Sequence, residues 1–131
     1  MKKVSIFTGC HCIDNPGEGG WCAILKSGEY EKILSGSGRE TTSQRMHLTA
    51  AIEGLLALKE TCYVTIFCRA EYVKGVIIDR WKIRKNRDIV ARLYKSEYNH
   101  EVNIILNATG PETIYMAACS QRAREEAYRI S

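Results

Sequence analysis

Asp14-Asn15-Pro16-Gly17-Glu18-Gly19-Gly20, followed by Trp21-Cys22-Ala23-Ile24-Leu25-Lys26, is the stretch whose reading decides the fold. Turn-forming residues separate two apolar runs, so the chain reverses between them. Residues 3–12 read as the strand entering this turn, and Trp21–Lys26 begins the strand leaving it. Ser27-Gly28 marks a second reversal, and Tyr30–Ser37 returns as a third strand. An antiparallel meander is therefore expected before any helix.

After Gly38 the hydrophobic period changes. Leu48, Ala51, Ile52, Leu55 and Leu58 recur at steps of three and four residues, preceded by Thr42 and Ser43 as candidate caps, which predicts an amphipathic helix. Cys62–Arg69 alternates as a strand. Helical spacing then resumes through Tyr72, Val73, Val76, Ile77 and Trp81. The basic break Lys82-Ile83-Arg84-Lys85-Asn86-Arg87, with Asn86 a candidate cap, leads into a helix carrying Ile89, Val90, Leu93 and Tyr94. His100–Asn107 reads as the last strand and Thr109-Gly110-Pro111-Glu112 as a turn whose proline opens a final helix. The expected order is βββαβααβα, an α/β fold with a five-stranded mixed sheet in which the later strands pair parallel with the first.

The chain has 131 residues, 45% hydrophobic and 26% charged. One domain spanning 1–131 is expected, with enough apolar content to bury a core. Polar residues interrupt the first apolar run too early for a secretory leader, and no stretch reaches the ~18 apolar residues needed to span a bilayer. A cytoplasmic protein is expected. The six cysteines form no spacing typical of a secreted disulfide framework and read as buried thiols. A net charge of +4 favours an anionic partner only weakly.

Several segments in this order carry a resemblance. Phe7-Thr8 with Asn15-Pro16-Gly17-Glu18-Gly19-Gly20-Trp21 and Ala23-Ile24-Leu25, then Glu40-Thr41-Thr42-Ser43-Gln44-Arg45-Met46 with Leu48 and Ala50-Ala51-Ile52, resemble the opening hairpin and first helix of the type I ribonuclease H family. Glu71-Tyr72-Val73, Lys85-Asn86-Arg87-Asp88-Ile89 and Ala123-Arg124-Glu125-Glu126-Ala127 extend the likeness over nearly the whole chain. The resemblance implies the ribonuclease H-like fold and cleavage of the RNA strand of an RNA/DNA hybrid by two divalent metals held by carboxylates.

At the positions where the resemblance places those carboxylates, the residues differ. Gly9 stands for the first Asp, His47 for the Glu and Arg69 for the Asp that ends the fourth strand. The fourth falls on Ser120 or Ala117, according to how the last helix is registered, and Asn107 stands for a mobile His. Replacing four carboxylates by this set changes the local formal charge by about five units. On that ground the sequence alone suggests a non-enzyme, with no catalytic residue, cofactor or metal.

Arg69, His47, His11 and Ser120 read either as an anion site or as a neutralised remnant in which Arg69 and His47 pair with Glu71 or a backbone carbonyl. Cys10-His11-Cys12, with His47 and Cys68, invites a zinc reading. Strand alternation opposes it by pointing residue 11 away from residues 10 and 12. Asn15, Thr42, Ser43 and Gln44 offer hydrogen bonds to a 2′-OH or base edge, although Thr42 also reads simply as a cap and Arg45 as an ion-pair partner. Lys82, Arg84, Lys85 and Arg87 surround an aromatic, Trp81, in a composition suited to a nucleic-acid backbone; Trp81 reads equally as a core residue.

The function expected from sequence is thus a nuclease-dead protein binding RNA/DNA hybrid or duplex RNA through Asn15, Thr42, Ser43, Gln44, Arg69, Lys82, Arg84, Lys85 and Arg87. The alternative is a protein-interaction or inhibitor module on the same scaffold.

Overall fold

A computed structural model describes all of residues 1–131. Its elements are β1 (Lys2–Cys12), β2 (Gly17–Ser27), β3 (Tyr30–Thr41), α1 (Ser43–Leu56), β4 (Cys62–Cys68), α2 (Glu71–Ile77), α3 (Arg87–Glu97), β5 (Glu101–Leu106) and α4 (Thr113–Ile130). The order is the expected one. The strands form one sheet, β3-β2-β1-β4-β5. β1 pairs antiparallel with β2 and β2 with β3, whereas β4 runs parallel to β1 and β5 parallel to β4.

Alternation along the strands divides the interior in two. Val4 and Ile6 of β1, Ala23 and Leu25 of β2, and Val64, Ile66 and Cys68 of β4 face α1, α2 and α3, where Leu48, Ile52, Leu55, Val76 and Leu93 complete the larger core. Phe7, Cys22, Ile24 and Phe67 face the other way, against Met116, Cys119 and Ala123 of α4. Phe7 stacks between Phe67 and Tyr115, with ring centroids 4.8 and 4.6 Å away. No helix is long and apolar enough to cross a membrane.

α4 is seated unusually deeply. Its residues Cys119, Ala123 and Ala127, four apart and therefore on one face, are fully buried. Opposite them the strands carry glycines. A Cβ at Gly9 would lie 2.7 Å from the Cys119 carbonyl carbon and the Ser120 nitrogen, and one at Gly20 would overlap the Ala123 carbonyl oxygen. Only hydrogen at these positions lets helix backbone lie on strand backbone.

Two expectations around Trp81 need correction. The helical spacing through Trp81 does not continue as helix, because α2 closes at Ile77. The chain then folds back over α2, with Arg80 at positive φ, and the Trp81 amide donates to the Gly75 carbonyl at 3.0 Å. The indole consequently rests on Gly75, edge-on to Tyr72, and stays 46% exposed rather than entering the core.

Candidate nucleic-acid interface

The first turn of α1 is built by short-range polar residues and then tied to distant segments. Thr42 Oγ1 accepts from the Arg45 amide at 3.2 Å, capping one free helix donor. Asn15 Oδ1 accepts from the Ser43 amide at 3.1 Å, joining the β1–β2 turn to the same helix end. Gln44 Oε1 accepts from Asn86 Nδ2 at 3.5 Å. Arg45 donates twice to the Asp88 carboxylate, at 3.0 and 2.7 Å, and once to Asn86 Oδ1 at 3.2 Å. The guanidinium holds the Asp88 carboxyl down to about 2, so this contact stays ionised through ordinary pH. Asn86 lies in the left-handed region and makes no side-chain cap bond of its own. Its side chain is used instead to dock the basic segment on α1.

That docking leaves the cations free. Lys82, Arg84, Lys85 and Arg87 are exposed and none takes part in a salt bridge, while Ile83 between them is half-buried against the core. Arg80 differs: it pairs with Glu97 at 2.7 Å and lies over the Tyr94 ring. Asn15, Thr42, Ser43 and Gln44 thus meet the end of the basic segment at the start of α1.

Beside this surface lies the centre where the carboxylates were expected to be replaced. Gly9 is covered by the α4 backbone at Cys119 and Ser120, which sets the Ser120 backbone beside position 9. Arg69 follows β4 and is exposed, with neither ion pair nor hydrogen bond; Glu71 is exposed and does not pair with it. His47 is half-buried and its Nδ1 has no partner. The neutralised remnant, with Arg69 and His47 paired to Glu71 or a carbonyl, is not what the structure contains. His11 lies against the Tyr128 ring on the α4 side, 5.8 Å between centroids.

Divalent metals of the implied kind need several converging oxygen ligands. The residues present do not fit them: glycine, imidazole, guanidinium and a serine stand at these positions, and nowhere do three His, Cys, Asp or Glu side chains converge as a metal site. Cys10 Sγ lies 3.8 Å from the Ser43 carbonyl oxygen, and burial, with Cys12 adding to it, pushes its thiol up to about 12.

Two histidines make stability pH-dependent. Burial lowers the pKa of both His47 and His100. His100 Nδ1 also accepts from the Cys62 amide at 3.1 Å and must be unprotonated to do so. The unfolded chain takes up these protons near pH ~6.5 and the folded chain only at lower pH, so the contribution is complete above ~6.5 and is lost as pH falls below it. The urea midpoint is expected to be lower at pH ~5.5 than at pH ~7.5, with a smaller difference in His47→Gln. Equal wild-type midpoints would count against this assignment.

The sheet order and flanking helices place the chain among ribonuclease H folds of known structure. LC9-RNase H1, a type 1 RNase H with the type 2 active-site motif, superposes with a TM-score of 0.83 at 16% identity, covering 100% of this chain and 74% of that one. LC11-RNase H1 in complex with RNA/DNA hybrid superposes at 0.77 and 15% identity, covering 97% of this chain and 98% of its own. Residues 1–120 match the RNase H family, and the chain belongs to that family. The Ribonuclease H of Erythrobacter litoralis is 44% identical over 115 residues, covering 78% of this chain and 80% of its own. That of Solibacter usitatus is 53% identical over 85 residues, covering 63% of this chain; the alignment spans 58% of that relative's length.

These relatives overturn the expectation of a nuclease-dead non-enzyme. Proteins 40–53% identical to this chain are named Ribonuclease H, which points to a nuclease. They give the alternative of a protein-docking or inhibitor module no support. Gly9, His47, Arg69 and Ser120 are what the sequence carries at the positions the resemblance assigns to carboxylates; the step from them to the absence of an enzyme does not stand.

Proposed function

We propose that this chain acts on RNA/DNA hybrid as a member of a nuclease family, gripping the duplex with the start of α1 and the basic segment docked on it. The observation that carries this reading is the Arg45–Asn86–Asp88 cluster, which anchors the base of a segment bearing four unpaired cations beside Asn15, Ser43 and Gln44. Cations of this kind contact phosphates, while the amides and hydroxyls suit 2′-hydroxyls and base edges in a shallow minor groove. Family membership supports hybrid as the duplex.

Gel retardation with an end-labelled hybrid tests both parts. Hybrid is expected to be retained at low salt more tightly than duplex DNA of the same sequence, and equal retention would overturn the reading. Shortened RNA products in the same lanes would assign the chain the reaction its relatives are named for. Asp88→Ala separates position from charge. It raises the net positive charge, which alone would strengthen binding, but it frees Arg45 and loosens the basic segment. A severalfold loss of affinity is expected; a gain would mean that the docking is irrelevant.

A further inference from the structure

We infer that the centre beside Gly9 meets a nucleic-acid phosphate with the Arg69 guanidinium, so that hybrid binding by this chain neither requires nor recruits a divalent cation. The inference rests on the hybrid-binding reading above and specifies how one part of that surface works.

Three structural features carry it. First, Arg69 is an uncommitted charge. It is exposed just beyond β4, and the parallel pairing that sets Phe7 beside Phe67 brings the chain toward Gly9 and Arg69 two residues later. Phe67, two residues before Arg69, faces the α4 side, where Phe7, Phe67 and Tyr115 form a stacked floor, and Arg69 stands in the bend that follows the strand. A guanidinium held at a strand end and free of carboxylates can offer a phosphate two parallel N–H bonds.

Second, position 9 has no room for a ligand. The α4 backbone occupies the space a Cβ would need, so the helix closes this side of the centre with peptide groups. Third, no cluster of carboxylates converges here, Glu71 being a single exposed acid two residues from Arg69. His47 is held toward its neutral form by burial, Ser120 is uncharged, and Asp14 and Glu71 are exposed at separate points of the chain. A cation entering would lose water, meet a fixed positive charge and find no converging carboxylates. A phosphate oxygen meets the opposite conditions.

The test is hybrid affinity of the intact chain in excess EDTA and in magnesium chloride at matched ionic strength, with calorimetric titration of magnesium alone into the protein. Equal affinity in the two buffers and no stoichiometric magnesium uptake are expected. Arg69→Ala should weaken binding roughly tenfold or more, the scale of a charged hydrogen bond, and Arg69→Lys should recover only part of the loss. Because the side chain is exposed and unpaired, both variants should melt with the wild type. Affinity that collapses on chelation, a stoichiometric magnesium site, or an Arg69→Ala variant that binds normally would each overturn the inference while hybrid binding stands. Failure to bind hybrid in either buffer would instead remove the functional reading beneath it.

Discussion

Gly20→Ala is expected to be among the most damaging single-methyl changes in this protein, lowering the melting temperature by roughly 10 °C. The added carbon would overlap the Ala123 carbonyl oxygen and lie 2.7 Å from the Ala127 nitrogen. Neither obstacle is the movable end of a side chain. Relief therefore requires α4 to lift from β2, opening contacts around Cys22, Cys119 and Ala123, all fully buried. Overpacking costs typically ~1–3 kcal/mol. At ~3 °C per kcal/mol for a domain of this size, the upper end gives the stated shift. Gly38→Ala is the matched control, since its Cβ would meet only the end of Met46, at 3.4 Å, and the Thr41 side chain beyond. Thermal melts of the two variants decide the matter: if Gly20→Ala melts with Gly38→Ala, α4 does not lie on the strand backbone as described.

Neutralising Lys82, Arg84, Lys85 and Arg87 together is expected to give the largest effect on binding. Each cation that contacts a phosphate releases condensed counterion, contributing about 0.7–0.9 to the slope of log affinity against log salt concentration. Loss of all four should flatten that slope by up to about three and abolish most hybrid retention near physiological salt. Stability should hardly change, because these side chains are exposed and unpaired, while Ile83 remains to anchor the segment in the core. Filter binding across a salt series reads the result. An unchanged slope would show that the segment does not touch the backbone of the duplex and would move the interface elsewhere.

The two variants probe parts of the molecule that were unequally legible. The meander was readable because turn chemistry at Asp14–Gly20 and Ser27-Gly28 and alternation in the strands are local properties. The same holds for α1, whose apolar period and Thr42 cap lie within a few residues of each other. The helix stops short of Trp81 although its spacing from Val73 and Ile77 suits one. Whether the helix persists that far depends on the chain folding back onto Gly75, which spacing does not reveal. The deep seating of α4 had a signal, the small residues Cys119, Ala123 and Ala127 at four-residue steps. Its meaning needed Gly9 and Gly20, which lie about 100 residues away in sequence.

The candidate surface shows the same division. Asn15, Thr42, Ser43, Gln44 and the four cations could be singled out by residue type and by resemblance, yet the bonds joining Gln44 and Arg45 to Asn86 and Asp88 span more than 40 residues. Function is not legible from four positions alone, because the rest of the chain, by its likeness to named Ribonuclease H proteins, points to a nuclease.

By itself the sequence determined the order βββαβααβα, the mixed sheet, the helix start at Thr42 and the residue types at positions 9, 47 and 69, because turn chemistry, periodicity and identity act within short spans. Only the tertiary structure decided that α4 closes over Gly9 at Ser120, that Arg69 is left without a partner, that Trp81 lies outside the core and that the basic segment docks on α1. Those outcomes depend on which surfaces meet across the sheet and on which charges find partners there, and both are settled when distant segments pack.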